Sequence, residues 1–119
     1  MSVEAYCRAR TIVESPRATE RRLIGQMIGT MIAARDEGLQ GIELMPVLHR
    51  NREMWTTFAA ACGAPGNALP DSLRAGIISI GLWVDRFTSD VIAGRASIDP
   101  LIGVNRSILD GLATEPLAA

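Results

Sequence analysis

Lysine is absent from this 119-residue chain, and all 12 basic side chains are arginine. Histidine occurs once, at His49, and cysteine twice, at Cys7 and Cys62. No Cys-x-x-Cys pair exists, and one histidine cannot complete a Cys/His metal site with thiols so far apart. Aromatic residues make up 4% of the chain, which leaves few rings to stack on unpaired bases. The formal net charge of -1 excludes a strong global pull towards nucleic acid or an anionic membrane. No apolar run is long enough to span a bilayer: the run from Leu23 to Ala34 is interrupted by Gln26 and Thr30. The N-terminus carries Glu4, Arg8 and Arg10 where a signal peptide needs apolar residues. These absences predict a cytoplasmic protein with both thiols reduced, since a lone long-range disulfide needs an oxidising compartment.

What is present is globular in character. Apolar residues are 48% and charged residues 21%, well away from the composition of disordered chains. The length fits one domain, taken as residues 1–119, and is sufficient for a core without staples.

Proline and glycine divide the chain. Ser15–Pro16 and Asp99–Pro100 read as helix starts, with a capping side chain followed by proline at the first helical position. Pro70–Asp71 is a third start, because a carboxylate suits the positive end of a helix dipole. Gly38 and Gly94 read as C-terminal stops, and Cys62-Gly63-Ala64-Pro65-Gly66-Asn67 as a turn. The result is five predicted helices, over about 3–13, 16–37, 45–62, 70–93 and 100–113. No stretch alternates like a strand, so the predicted fold is all-α, a compact bundle of about five helices in a single domain.

Helical periodicity places Leu23, Ile24, Met27, Ile28, Met31 and Ile32 on one face of the second segment. Val47, Leu48, Met54, Trp55, Phe58 and Cys62 share a face of the third. In the fourth, Leu73, Ile77, Ile80, Val84, Phe87 and Val91 form a seam spaced by four and three, while Ile78 and Leu82 lie on the opposite side. The fifth presents Leu101, Ile102, Ile108, Leu109 and Leu112.

No catalytic constellation emerges. His49 lies opposite the apolar stripe of its helix and reads as a surface residue. The glycine-rich turn at 63–67 lacks the Gly-Lys-Ser/Thr of a phosphate loop. Gly25 and Gly29 form a GxxxG, which in a soluble helix reads as close packing or chance. The arginine groups at Arg21–Arg22 and Arg50, Arg52 are interleaved with Glu20 and Glu53, which reads as a mixed-charge surface.

Two asparagines stand out. Asn51 falls at the centre of the third segment's apolar stripe, and Asn105 at the same place in the fifth; arginine follows each, at Arg52 and Arg106. A buried amide without partners costs about 1–3 kcal/mol. Either the two meet in a network that fixes helix register, or they line a groove that grips a partner. Trp83 sits beside the seam of its helix with small Ser79 and Gly76 as neighbours, the pattern of a ring next to a depression.

Asn51-Arg52-x-Met54-Trp55-x-x-Phe58 is followed by Pro65-Gly66-Asn67-x-Leu69-Pro70, Leu73-Arg74-Ala75-x-Ile77-Ile78-Ser79 and Leu82-Trp83-Val84. This ordered set resembles the FlaF family of flagellar biosynthesis regulators. Ala5-Tyr6-x-Arg8-Ala9, Glu14-Ser15-Pro16-Arg17, Pro100-Leu101-Ile102 and Asn105-Arg106 fit as well. The stretch from Gln40 to Val47 matches least, and Pro46 departs from the pattern. The resemblance implies a cytosolic, non-enzymatic protein without cofactors. It would bind flagellin as a chaperone before export, promote flagellin synthesis and oppose the translational repressor FlbT. The rival is an RNA-binding regulator of flagellin message. The candidate partner-binding residues are Asn51, Arg52, Trp55, Phe58, Trp83, Asn105 and Arg106. No membrane or nucleic-acid partner is expected, and the chain is read as a monomer or weak homodimer.

Overall fold

The computed structural model describes residues 16–66 and 69–114. Among them are four α-helices: α1 (Pro16–Asp36), α2 (Met45–Gly63), α3 (Asp71–Ile92) and α4 (Asp99–Thr114). The bundle thus has four helices in the described residues where the sequence predicts about five. The predicted helix over 3–13 lies outside them. The other four segments agree with the structure to within a residue or two at each end.

The helix ends follow from local chemistry. Gly38 closes α1 at φ 82°. The amide of Leu39 donates to the Ala34 carbonyl at 3.2 Å, and that of Gly38 to Arg35 at 2.9 Å. Gly94 closes α3 in the same way at φ 79°. There Arg95 donates to Asp90 at 2.9 Å and Gly94 to Val91 at 3.0 Å. Both are Schellman caps, which need the left-handed conformation that glycine adopts without a Cβ clash. A short 3₁₀ turn, Gly41–Leu44, leads into α2, and Pro46 lies in the first turn of that helix. A proline there removes an N–H that would have no helical partner, so Pro46 starts the helix rather than breaking it.

The most extensive pairings are α2 with α3 and α1 with α4; α3 and α4 touch little. The two pairs meet over one core. Ile24, Ile28 and Met31 come from α1, and Leu48, Trp55 and Phe58 from α2. Ile77, Val84 and Val91 come from α3, and Leu101 and Ile102 from α4. Leu23 departs from its expected place, being 41% exposed at the edge of the α1 stripe. The GxxxG glycines serve no close approach: a Cβ at Gly25 or Gly29 would meet nothing within 4 Å. Arg35, at the end of α1, bonds to Asp99 at the start of α4 at 3.2 Å and closes that pair at one end.

Cys62 is buried. Burial, and then the charge of Glu20, push its thiol up from the ordinary range, with Arg74 opposing. A raised thiol pKa means that the folded state holds the proton more tightly than the unfolded state. The stabilisation is therefore complete below the unfolded thiol's pKa and is lost as pH rises towards the folded one. Two outcomes are expected. Cys62 reacts slowly with a thiol reagent in the native protein, and two thiols per chain react in denaturant. Chemical denaturation should also show stability declining above about pH 8.5, a decline that Cys62→Ala removes.

Candidate functional site

The two asparagines meet. Asn105 on α4 donates through Nδ2 to Oδ1 of Asn51 on α2 at 2.8 Å, and to Sδ of Met31 on α1 at 3.4 Å. Its Oδ1 accepts from the indole Nε1 of Trp55 at 2.8 Å. Asn51 and Asn105 are 0% exposed and Trp55 is 2% exposed. One amide therefore joins three helices at the centre of the core. An amide has one acceptor and one two-proton donor, and Asn105 uses both. Asn51 is less well served: its Nδ2 has no hydrogen-bond partner among the described residues.

Around this bridge the other predicted residues serve different purposes. Arg52, next to Asn51, turns to α3. Its Nη2 donates to the Asp85 carbonyl at 2.8 Å and to Ser89 Oγ at 3.1 Å, and its Nε lies 3.0 Å from Asp85 Oδ1. It clasps α2 to α3. Phe58 packs edge-on to Trp55, with centroids 6.1 Å apart and planes at 82°. Trp83 is half-buried and stacks on Phe87 at 4.8 Å. Among the described residues no other helix closes over Gly76 beside it, where a Cβ would meet nothing within 4 Å. Arg106 is exposed. The structure thus brings Asn51, Trp55 and Asn105 together inside, with Phe58 against them and Arg52 on the α3 side.

An apolar groove of about 420 Å³ runs between α1 and α2. Leu23 and Met27 from α1, with Met54 and Phe58 from α2, form its floor; Gln26, Thr30, Arg50, Glu53 and Thr57 form its rim. Phe58 is the one member shared with the sequence-based set. Leu23, Met27 and Met54 are visible in the sequence as members of the apolar stripes. What periodicity could not show is that no helix among the described residues covers the stripe edges of α1 and α2, because that depends on how the helix pairs cross.

His49 is exposed and pairs with Glu53 at 3.0 Å. Among the described residues no group of three or more His, Cys, Asp or Glu side chains is placed to hold a metal ion, and no helix is long and apolar enough to cross a membrane.

The described residues form a helical bundle knit by a buried amide bridge, with an apolar groove on one flank. Residues 2–112 match the family model described as flagellar protein FlaF. The chain belongs to the FlaF family of flagellar proteins. No curated protein and no solved structure matches it.

The bridge makes an asymmetric prediction. Asn105→Ala strands the Trp55 indole N–H and Asn51 Oδ1, each at about 1–3 kcal/mol. Asn51→Ala strands a single donor, Asn105 Nδ2, which keeps its contact with the Met31 sulfur. Urea denaturation should show Asn105→Ala to be the more destabilising by about 1 kcal/mol or more. Equal losses would show that the Trp55 bond to Asn105 adds nothing to stability.

Proposed function

We propose that the protein is a non-enzymatic flagellar regulator that binds flagellin in the cytosol before export. In that role it acts as a chaperone, promotes flagellin synthesis and opposes FlbT. The observation that carries the reading is the groove between α1 and α2. Its floor of leucine, two methionines and phenylalanine suits an amphipathic helix, and methionine's flexible thioether adapts to varied side chains. Flagellin's terminal segments are amphipathic and unfolded before assembly, so they need such cover. The polar rim excludes none of the charged side chains that the outer face of such a helix carries, since Arg50 and Glu53 offer both signs.

Of the candidate binding residues, Phe58 reaches the groove floor directly. Trp83 offers a second contact beside the open space at Gly76, and Arg106 an exposed charge. Asn51, Trp55 and Asn105 act by holding the helices that form the groove, and Arg52 by clasping α2 to α3. An RNA-binding role draws no support from a groove whose floor carries no cation.

The test is a titration of the purified protein with full-length flagellin and, separately, with its message at physiological salt. Flagellin is expected to bind and the message to give no shift. Met54→Glu is expected to weaken flagellin binding at least about tenfold, a hot-spot loss, while the melting temperature changes little because Met54 is only half-buried. Trp83→Ala is expected to weaken it too. Removing its stack on Phe87 should cost about 0.5–1.5 kcal/mol beyond the loss of the apolar area that Trp83 buries against the core. Tight, salt-sensitive binding of the message with no flagellin complex would reverse the assignment.

A further inference from the structure

The chain has five methionines, and four of them lie among the described residues. They sit in three different settings. Met31, on α1, is 0% exposed, and its sulfur accepts a hydrogen bond from Asn105 Nδ2 at 3.4 Å. Met45, where α2 begins, is 42% exposed and takes no part in the groove lining. Met27 and Met54 are half-buried and line the groove from its two sides, Met27 on α1 and Met54 on α2. A single helical turn of α1 thus separates a methionine of the groove, Met27, from one locked in the core, Met31.

A thioether within reach of solvent reacts with peroxides. The sulfur lone pair attacks one peroxide oxygen, and the S–O bond forms as the O–O bond breaks. The departing hydroxide takes up the proton of the transferred hydroxyl and leaves as water. Sulfur gives up two electrons and the peroxide gains them. The product is methionine sulfoxide, which turns a flexible apolar side chain into a polar one with a strong acceptor oxygen. In the free groove that oxygen can turn to water. Beneath an apolar face it is stranded unless a donor reaches it. The remaining floor residues, Leu23 and Phe58, are hydrocarbon. Two rim hydroxyls are already committed: Thr30 donates to the Gln26 carbonyl at 3.0 Å, and Thr57 to the Glu53 carbonyl at 3.0 Å. Gln26 and Arg50 carry further donors, but they stand at the rim, where the polar flank of an amphipathic helix lies.

We propose that Met27 and Met54 are peroxide-oxidation sites whose sulfoxides close the groove to an amphipathic partner while the fold persists. Reduction reopens it: two thiols remove the oxygen as water and become a disulfide, restoring the thioether. The loss of binding rests on the reading of the groove as the flagellin site; the position of the oxidised residues does not.

The purified full-length chain is treated with dilute hydrogen peroxide, free and with saturating flagellin, and the modified residues are mapped by mass spectrometry. Met27 and Met54 should each gain one oxygen at least about tenfold faster than Met31, since susceptibility follows exposure. Bound flagellin should shield Met27 and Met54 and leave Met45 reacting at its free rate. The oxidised chain should melt close to the untreated one and bind flagellin at least about tenfold more weakly, the effect of a stranded acceptor. Methionine sulfoxide reductase with a dithiol should restore the binding. Met27→Leu combined with Met54→Leu, which nearly conserves the volume of the floor, should bind flagellin alike before and after peroxide. Met31 oxidised as fast as the groove pair would overturn the inference. So would an oxidised chain that binds flagellin undiminished, a loss of binding that comes from unfolding, or a double leucine variant that still loses binding to peroxide. A chain that never binds flagellin would overturn the functional reading and with it the closing of the groove, whereas the oxidation map would still decide the two sites.

Discussion

Asn105 has its amide saturated in a place where water cannot reach it. Its oxygen takes the Trp55 indole proton, and its nitrogen gives one proton to Asn51 and directs another at the Met31 sulfur. These partners come from α1 and α2, whereas Asn105 itself belongs to α4. A hydrophobic stripe alone would let these helices slide or rotate by a fraction of a turn at little cost, because one leucine packs much like another. A buried amide admits far fewer arrangements, since each misplacement leaves donors and acceptors unpaired in a low-dielectric interior. The bridge thus fixes the positions of α1 and α2 relative to α4, and with them the width of the groove on the α1–α2 flank. Arg52 extends the same control to α3 through its bonds to Asp85 and Ser89.

Much of this arrangement is legible in the sequence, for local reasons. Gly38 and Gly94 end α1 and α3 because the Schellman cap selects glycine. The position of Asn51 and Asn105 in their apolar stripes shows both to be interior. The choice between an internal network and a binding groove stays open at that level, because it depends on whether two residues far apart in the chain meet. Pro46 shows the limit from the other side. It sits where the resemblance to the family is weakest in the sequence reading, yet it occupies the one part of a helix where proline is harmless. Leu23, Met54 and Leu82 show where periodicity stops. Each has the right phase to be apolar, but whether a neighbouring helix covers it depends on how the pairs α2–α3 and α1–α4 cross.

The inside and the outside of the bundle therefore do different work. The polar atoms that attract notice in the sequence, Asn51, Asn105 and the Trp55 indole, are turned inwards and saturate one another for the most part. The surfaces that the described residues leave uncovered are the plainer ones, the methionine-lined groove between α1 and α2 among them. A rigid interior holds the groove in shape, while the methionines of its floor stay adaptable.

A double-mutant cycle measures directly whether the two amides act as a unit. Unfolding free energies of the unmodified chain, Asn51→Ala, Asn105→Ala and the double variant give the coupling between the two positions. The bridge predicts a coupling of about 1 kcal/mol or more, with the double variant losing less than the sum of the single losses, as for residues in one hydrogen-bond network. Losses that add to within about 0.3 kcal/mol would show that the two asparagines act independently, and the bridge would then not be what orders the helices.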